Sequence, residues 1–235
     1  MSAPANFNRL AHAYRWMEYL SFGTCLMYVR QWRIPEMQHR RRALVYGDGD
    51  GRFLARLVRQ APGLQVTAVD ASARMLQVAA RRLPPAASVQ LVQTDALGFQ
   101  PSREQPSREP GGYDLIVSHF FLDCFNEDEV GCLVERVNAA AAESAVWVIS
   151  DFAVPQGAIA GVLGRWIIRG LYQVFGLLTG LETRRLPDHG PILRQSGWHL
   201  EDCRQRLCGL LVSERWQRNE RFPSNRSAGW ALPIA

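Results

Sequence analysis

Between residues 42 and 150, short continuous apolar runs alternate with stretches of helical period. "RALVY" (42–46), "QVTAV" (65–69), "SVQLV" (88–92), "YDLIVS" (113–118) and "AVWVIS" (145–150) read as strands. Residues 51–60, 72–83 and 127–142 read as helices, with Ser72 as an N-cap and Asn126 with Glu129 at the spacing of a capping box. A strand exposed on one face alternates apolar with polar residues. A continuous apolar strand is covered on both, so the pattern predicts an α/β fold around a parallel sheet with helices on either side.

The flanks differ. Residues 6–32 read as two helices broken by "SFG" at 21–23, with Pro35 closing the region. Residues 164–181 form a strongly apolar helical stretch. "GWHLEDCRQRL" and "GLLVSERWQR" then predict an antiparallel strand pair turning at Cys208-Gly209. The expected organisation is an N-terminal helical cap (1–38), a main domain (39–218) and a loose tail (219–235). The pentapeptide QPSRE occurs twice in tandem within 100–110, where proline and charge between two strands predict an exposed loop.

Composition removes several function classes. All 27 basic residues are arginine, so a P-loop lysine and Schiff-base chemistry are excluded. The net charge of +5 permits an anionic partner, but the arginines are dispersed and not interleaved with aromatics as on a nucleic-acid platform. The five cysteines form no CxxC pair; reduced, buried or half-buried thiols and no metal site are expected. No run reaches the ~18 apolar residues of a membrane span, and the N-terminus lacks a secretory h-region, so a cytoplasmic protein is the expectation.

The segment "ALVYGDGDGRF" (43–53) places three glycines behind the first strand, at the start of a helix. Such a turn lets a ligand approach the backbone closely and is friendly to anions. Its spacing is G-x-G-x-G, and Arg52 stands where a dinucleotide fingerprint needs Gly or Ala. Asp48 and Asp50 would repel a pyrophosphate. A ligand with a positive or zwitterionic end suits the turn better. Asp70, ending the second strand, can accept both hydroxyls of a ribose, and Asp95, after the third, can accept the exocyclic amine of adenine. Together these describe an adenosine joined to something other than pyrophosphate.

The series "VYGDGDG", "VDASARML", "TDA" and "YDLIVSHFFLDCF" resembles the class I S-adenosylmethionine-dependent methyltransferases over residues 40–151, and "FNRLAHAYRWMEYLSFG" is similar to the opening of the ubiquinone/menaquinone methyltransferases. The resemblance implies a seven-stranded Rossmann-like, mostly parallel sheet with a C-terminal antiparallel strand pair and an N-terminal helical cap. It implies S-adenosyl-L-methionine as cofactor, with Gly47, Gly49 and Gly51 near its methionine part and Asp70 on the ribose. Ala71 and Met75 would line the adenine, and Asp95 with the Ala96 amide would read its edge. Ser118 and His119 would lie near the methionine end, with Tyr14 closing over it. The family usually carries an acid two places before the first glycine; here that place is Val45, and Asp48 or Asp50 is expected to compensate.

Methyl transfer needs a base only where the acceptor loses a proton. His119 and Asp123 are the candidates, beside the alternatives of a packed histidine and a helix-capping acid; His189 is a third, against a plain surface-loop histidine. The acceptor pocket is expected from the N-terminal helices and residues 158–190, with Trp16, Tyr19, Phe22, Trp166, Tyr172 and Phe175, which suit a small hydrophobic or aromatic molecule. Arg165 and Arg169 share a helix face and leave room for an anionic acceptor or a transient membrane-surface contact; a homo-oligomer is also compatible. Two other readings stay open: an NAD-dependent oxidoreductase, and a cofactor-binding protein without activity. A nucleic-acid substrate is not expected, because no RNA-binding module is visible.

Overall fold

The computed structural model describes residues 24–101, 112–155 and 187–218. In chain order the elements are α1 (Cys25–Gln31), α2 (Ile34–Met37), β1 (Arg42–Tyr46), α3 (Arg52–Gln60), β2 (Gln65–Asp70), α4 (Ala73–Arg82), β3 (Val89–Gln93), β4 (Tyr113–His119), α5 (Glu127–Ala140), β5 (Ala141–Phe152), α6 (His189–Gln195), β6 (Trp198–Arg206) and β7 (Leu211–Arg218). They form one sheet in the order β3-β2-β1-β4-β5-β7-β6. All neighbours from β3 to β5 pair in parallel; β7 pairs antiparallel with both β5 and β6. This is the Rossmann-like sheet with a C-terminal antiparallel pair that the resemblance implied.

Alternate side chains of the central strands feed two cores. Leu44, Ile116, Trp147 and Ile149 pack on one face with Val130, Leu133, Val134 and Val137 of α5. Ala43, Val45, Leu115, Val117 and Val148 pack on the other with Phe53, Leu54 and Leu57 of α3 and Ile34 and Met37 of α2. Apolar burial of ~1.5–3 kcal/mol per large side chain holds both layers to the sheet. The three buried tryptophans of the first face each find a partner for the indole N–H: Trp147 donates to Ser118 Oγ at 3.0 Å, Trp198 to Asn138 Oδ1 at 2.7 Å and Trp216 to Glu214 Oε2 at 2.8 Å.

Local chemistry sets the boundaries. Ser72 Oγ accepts the Met75 N–H, and the capping box at Asn126 and Glu129 forms in both directions. Pro35 does not close the N-terminal region; it sits in the first turn of α2, where a missing N–H is tolerated. The β6–β7 connection is a short 3-10 turn in which Leu207 and Cys208 join Gly209 at positive φ. Cys25 and Cys124 are half-buried as expected, whereas Cys132, Cys203 and Cys208 are exposed, against the expectation of buried or half-buried thiols. Among the described residues no helix is long and apolar enough to cross a membrane, and no cluster could hold a metal ion.

Candidate functional site

The chain runs outward from β1 through β2 to β3, then returns to lay β4 on the other side of β1. In such sheets the crevice beyond the carboxyl ends of the strands, where the order reverses, receives ligands. The glycine turn leaves β1 and "SHFFLDC" leaves β4 on either side of that reversal, since Tyr46 pairs with Ser118.

Gly47, Gly49 and Gly51 all have positive φ, from +62° to +78°. They differ in what surrounds them. A Cβ on Gly47 would run into the Phe121 ring, and one on Gly51 would come within 2.6 Å of the Ala79 backbone. A Cβ on Gly49 would meet nothing within 4 Å. Two glycines therefore serve close packing, and the middle one faces open space.

The two aspartates of the turn also divide. Asp50 receives Arg52 Nε at 2.9 Å and Arg82 Nη2 at 3.1 Å, so it ties the start of α3 to the end of α4. Asp48 is 9% exposed; its Oδ2 accepts the Leu54 N–H at 3.1 Å, inside the first turn of α3, while Oδ1 has no hydrogen-bond partner. Burial, offset in part by Arg30 and by the Leu54 N–H, pushes its carboxyl up to about 7. Of the two acids expected to replace the one missing at Val45, only Asp48 keeps an oxygen in reserve.

Asp70 ends β2 with a carboxylate that accepts the Ser72 N–H at 2.8 Å and the Gly49 N–H, locking the turn to the second strand. Burial raises its pKa. Met75 is buried in α4, and Ala71 is exposed beside it. Asp95 is exposed, and its carbonyl accepts the N–H groups of Gly98 and Phe99; Ala96 is buried in the core. Ser118 is buried, and its hydroxyl accepts the Trp147 N–H. Tyr14, the aromatic residues of the expected acceptor pocket, Arg165 and Arg169 lie outside the described residues.

His119 ends β4 at 3% exposure, with its ring edge-on to Phe53 at 4.5 Å and neither ring nitrogen hydrogen-bonded. Burial, reinforced by Arg30, holds its pKa well below the ordinary value, so the ring is neutral at pH 7. The next residue, Phe120, has φ +52°, an uncommon conformation for a bulky side chain. Asp123 follows in the 3-10 turn Leu122–Cys124. It is not a helix cap, because Asn126 caps α5. Its carboxyl is pushed up to about 6, chiefly by burial. Its backbone N–H donates to Asp151 at the end of β5, a buried acid whose pKa is raised by burial and by Asp123. His189 is no surface-loop residue: it starts α6 and meets Glu214 Oε2 at 2.8 Å.

Arg30 and Asp151 are the site residues that sequence reasoning passed over. Arg30 lies in α1, is 4% exposed and stacks its guanidinium 5.3 Å from the Phe120 ring centre. A charged residue in an apolar helical segment was the available signal for the first, and an acid closing a buried strand for the second.

A family model for a methyltransferase domain matches residues 44–146. The curated proteins give no match. Among solved structures the fold is similar to the mitomycin 7-O-methyltransferase MmcR, at TM-score 0.64 and 17% identity over 91% of this chain and 60% of that one. It is similar to an O-methyltransferase family protein from Burkholderia thailandensis, at TM-score 0.65 and 14% identity over 94% and 66%. A TehB-like SAM-dependent methyltransferase from Corynebacterium glutamicum gives TM-score 0.56 and 17% identity over 88% and 96%. This chain thus spans about 60% of MmcR, and at these identities the likeness is one of fold. Residues 44–146 are similar in sequence to a methyltransferase domain, and the sheet shares its fold with solved SAM-dependent methyltransferases.

Proposed function

We propose that the protein transfers a methyl group from S-adenosylmethionine to a small hydrophobic or aromatic acceptor. The observation that carries this reading is the open Gly49 beside two buried, unpartnered polar groups, Asp48 Oδ1 and the His119 ring. Buried polar atoms without partners cost ~1–3 kcal/mol each, and a ligand bearing hydrogen-bond donors removes that cost. An ammonium group is such a donor, so the residues present fit the amino-acid end of the cofactor. In this reading Asp70 would take the ribose, Met75 and Ala71 would line the adenine face, and Asp95 with the Ala96 amide would meet the adenine edge.

When bound, the cofactor supplies an electrophilic methyl on a sulfonium, and the protein's task is alignment. Of the two candidate bases, Asp123 is the stronger. With a carboxyl at about 6 it is mostly ionised at pH 7.5 and can hold a proton from the acceptor. The depressed pKa of His119 makes it a weak base and a good neutral hydrogen-bond acceptor. The hydrophobic character of the acceptor rests on the aromatic residues of 1–23 and 158–190, and the O-methyltransferase names of two structural neighbours accord with it.

The test has two arms. Calorimetry should give binding of S-adenosylhomocysteine and none of NAD. Labelled S-adenosylmethionine with a metabolite extract should mark an acceptor with the wild type and not with Gly49→Arg. Binding without transfer to any acceptor would favour a cofactor-binding protein without activity, and equal transfer by the variant would misplace the site.

A further inference from the structure

Charge is not spread evenly along the chain. Residues 51–94 hold six arginines and a single acid, Asp70, a net charge of +5. The whole chain is also +5, so elsewhere basic and acidic residues balance in number. The six arginines lie on two neighbouring helices, α3 and α4, neither of which contains an acid. Arg52, Arg56 and Arg59 recur at helical spacing on α3, as do Arg74 and Arg81 on α4, so each set shares one helix face.

Arg82 joins the two sets. Its Nη2 meets Asp50 Oδ2 at 3.1 Å while Arg52 Nε meets Asp50 Oδ1 at 2.9 Å, and its carbonyl accepts Arg59 Nη2 at 3.1 Å. Arginines that look dispersed in the sequence are thus gathered into one patch beside the glycine turn. Arg56, Arg59, Arg74 and Arg81 are exposed. Arg56 donates to Gln31 Oε1 and Arg59 to the Arg82 carbonyl. Both partners are neutral, so among the described residues neither of these two charges is cancelled by contact.

We propose that this arginine face of α3 and α4 docks the protein on an anionic lipid surface. The docking goes beyond methyl transfer and needs neither cofactor nor acceptor. The make-up of the patch selects the partner. The exposed large apolar side chains among the described residues are Tyr28, Val154, Leu200 and Leu207, and none lies on α3 or α4. A stable protein interface is anchored by large apolar or aromatic side chains at its centre. A single-stranded nucleic acid is held by bases stacked on aromatic rings. This surface offers neither. Adsorption to anionic headgroups needs only several basic side chains within a Debye length of them, each adding attraction. The planar guanidinium fork also matches the paired oxygens of a lipid phosphate.

The patch adjoins the candidate site: Arg52 follows Gly51 of the glycine turn, and Arg74 precedes Met75. Docking there holds the crevice close to the headgroup layer. A hydrophobic acceptor of the kind proposed above is concentrated in that layer relative to water. The β6–β7 edge supplies the internal control, because its arginines stand beside acids: Arg204 with Glu36 and Asp202, and Arg215 with Glu201.

The test is co-sedimentation of the full chain with lipid vesicles at low salt and at about 0.5 M, where the Debye length is only about 4 Å. The wild type should bind vesicles of phosphatidylcholine mixed with phosphatidylglycerol, leave them in high salt, and not bind phosphatidylcholine alone. Arg56→Gln/Arg59→Gln/Arg81→Gln should weaken binding at least ~10-fold, and the same three positions changed to lysine should stay within ~3-fold of the wild type. Arg204→Gln/Arg206→Gln/Arg215→Gln removes as much charge from the β6–β7 edge and should cost less than ~3-fold. Equal losses in the two glutamine triples would show that net charge alone is read, and would overturn the inference. A wild type that stays in solution beside the mixed vesicles overturns it too. So does one stripped from them by a short RNA duplex at equal phosphate concentration, which would make the patch a nucleic-acid surface. None of these outcomes touches the methyltransferase reading, which stands or falls on cofactor binding.

Discussion

The β6–β7 edge and the crevice at the β1–β4 reversal both collect charge, and they handle it in opposite ways. At the edge Asp202, Glu36 and Glu201 each have a cation: Arg33 with Asp202 and Glu36, Arg204 with Glu36 and Asp202, Arg215 with Glu201. In the crevice, Asp48 keeps an oxygen without a partner, His119 keeps two nitrogens, burial raises the pKa of Asp123, and burial together with Asp123 raises that of Asp151. The edge is finished when the chain folds. The crevice carries electrostatic stress that a ligand can relieve. The difference separates charges that build the molecule from charges held ready for chemistry.

The contrast can be broken from either side, beginning with the edge. Arg33→Met removes a buried hub with its bonds to Ser213 and leaves Asp202 and Glu36 without that cation, so chemical denaturation should show a loss of about 3 kcal/mol. Gly49→Arg should do the reverse. It fills the open side of the turn, so S-adenosylhomocysteine affinity should drop at least ~100-fold, about 2.7 kcal/mol, while circular dichroism stays that of the wild type.

Asp48→Asn should move stability and function in opposite directions. The folded-state pKa of Asp48 is raised, from 3.8 to about 7. Its contribution to stability is therefore full below about pH 4 and lost as the pH rises through 7. The variant should gain about 2 kcal/mol in urea at pH 8, nothing at pH 4, and bind S-adenosylhomocysteine more weakly at both neutral and alkaline pH. Wild-type affinity should also fall as the pH drops from 8 to 6, since the ligand must displace a proton from Asp48; Arg30, Asp50 and Asp70 are the charges around it. The variant should be flat over that range. The smallest effect belongs to Asp202→Asn, where a half-exposed partner should cost less than ~1 kcal/mol and leave cofactor affinity untouched.

The fold was legible because its signals are local. Continuous apolar runs, Ser72 and the Asn126–Glu129 pair each act within a few residues, and each forms as the pattern predicts. The glycine turn was legible as a turn, but its division of labour was not. Asp50 and Asp48 are two places apart and chemically alike. What separates them is Arg82, thirty-two positions away, and the burial supplied by α1 and α3. The pKa of His119 follows the same logic. An ordinary value of about 6.5 suits an exposed ring, and only the Phe53 contact and Arg30 show that it is neutral. Arg30 and Arg33 looked like two dispersed arginines among 27. The bonds of Arg33 exist only after β7 has docked.

That docking bears on synthesis. Ser213, which fastens the end of the first described helix, lies 180 positions after Arg33. β7 also slots between β5 and β6, so the sheet closes only when its last described strand arrives. A nascent chain stalled after residue 146 would carry the whole matched segment, glycine turn and Asp70 included, and still lack the Ser213 groups that hold Arg33. On a ribosome, the anchoring of the first described helices would come last.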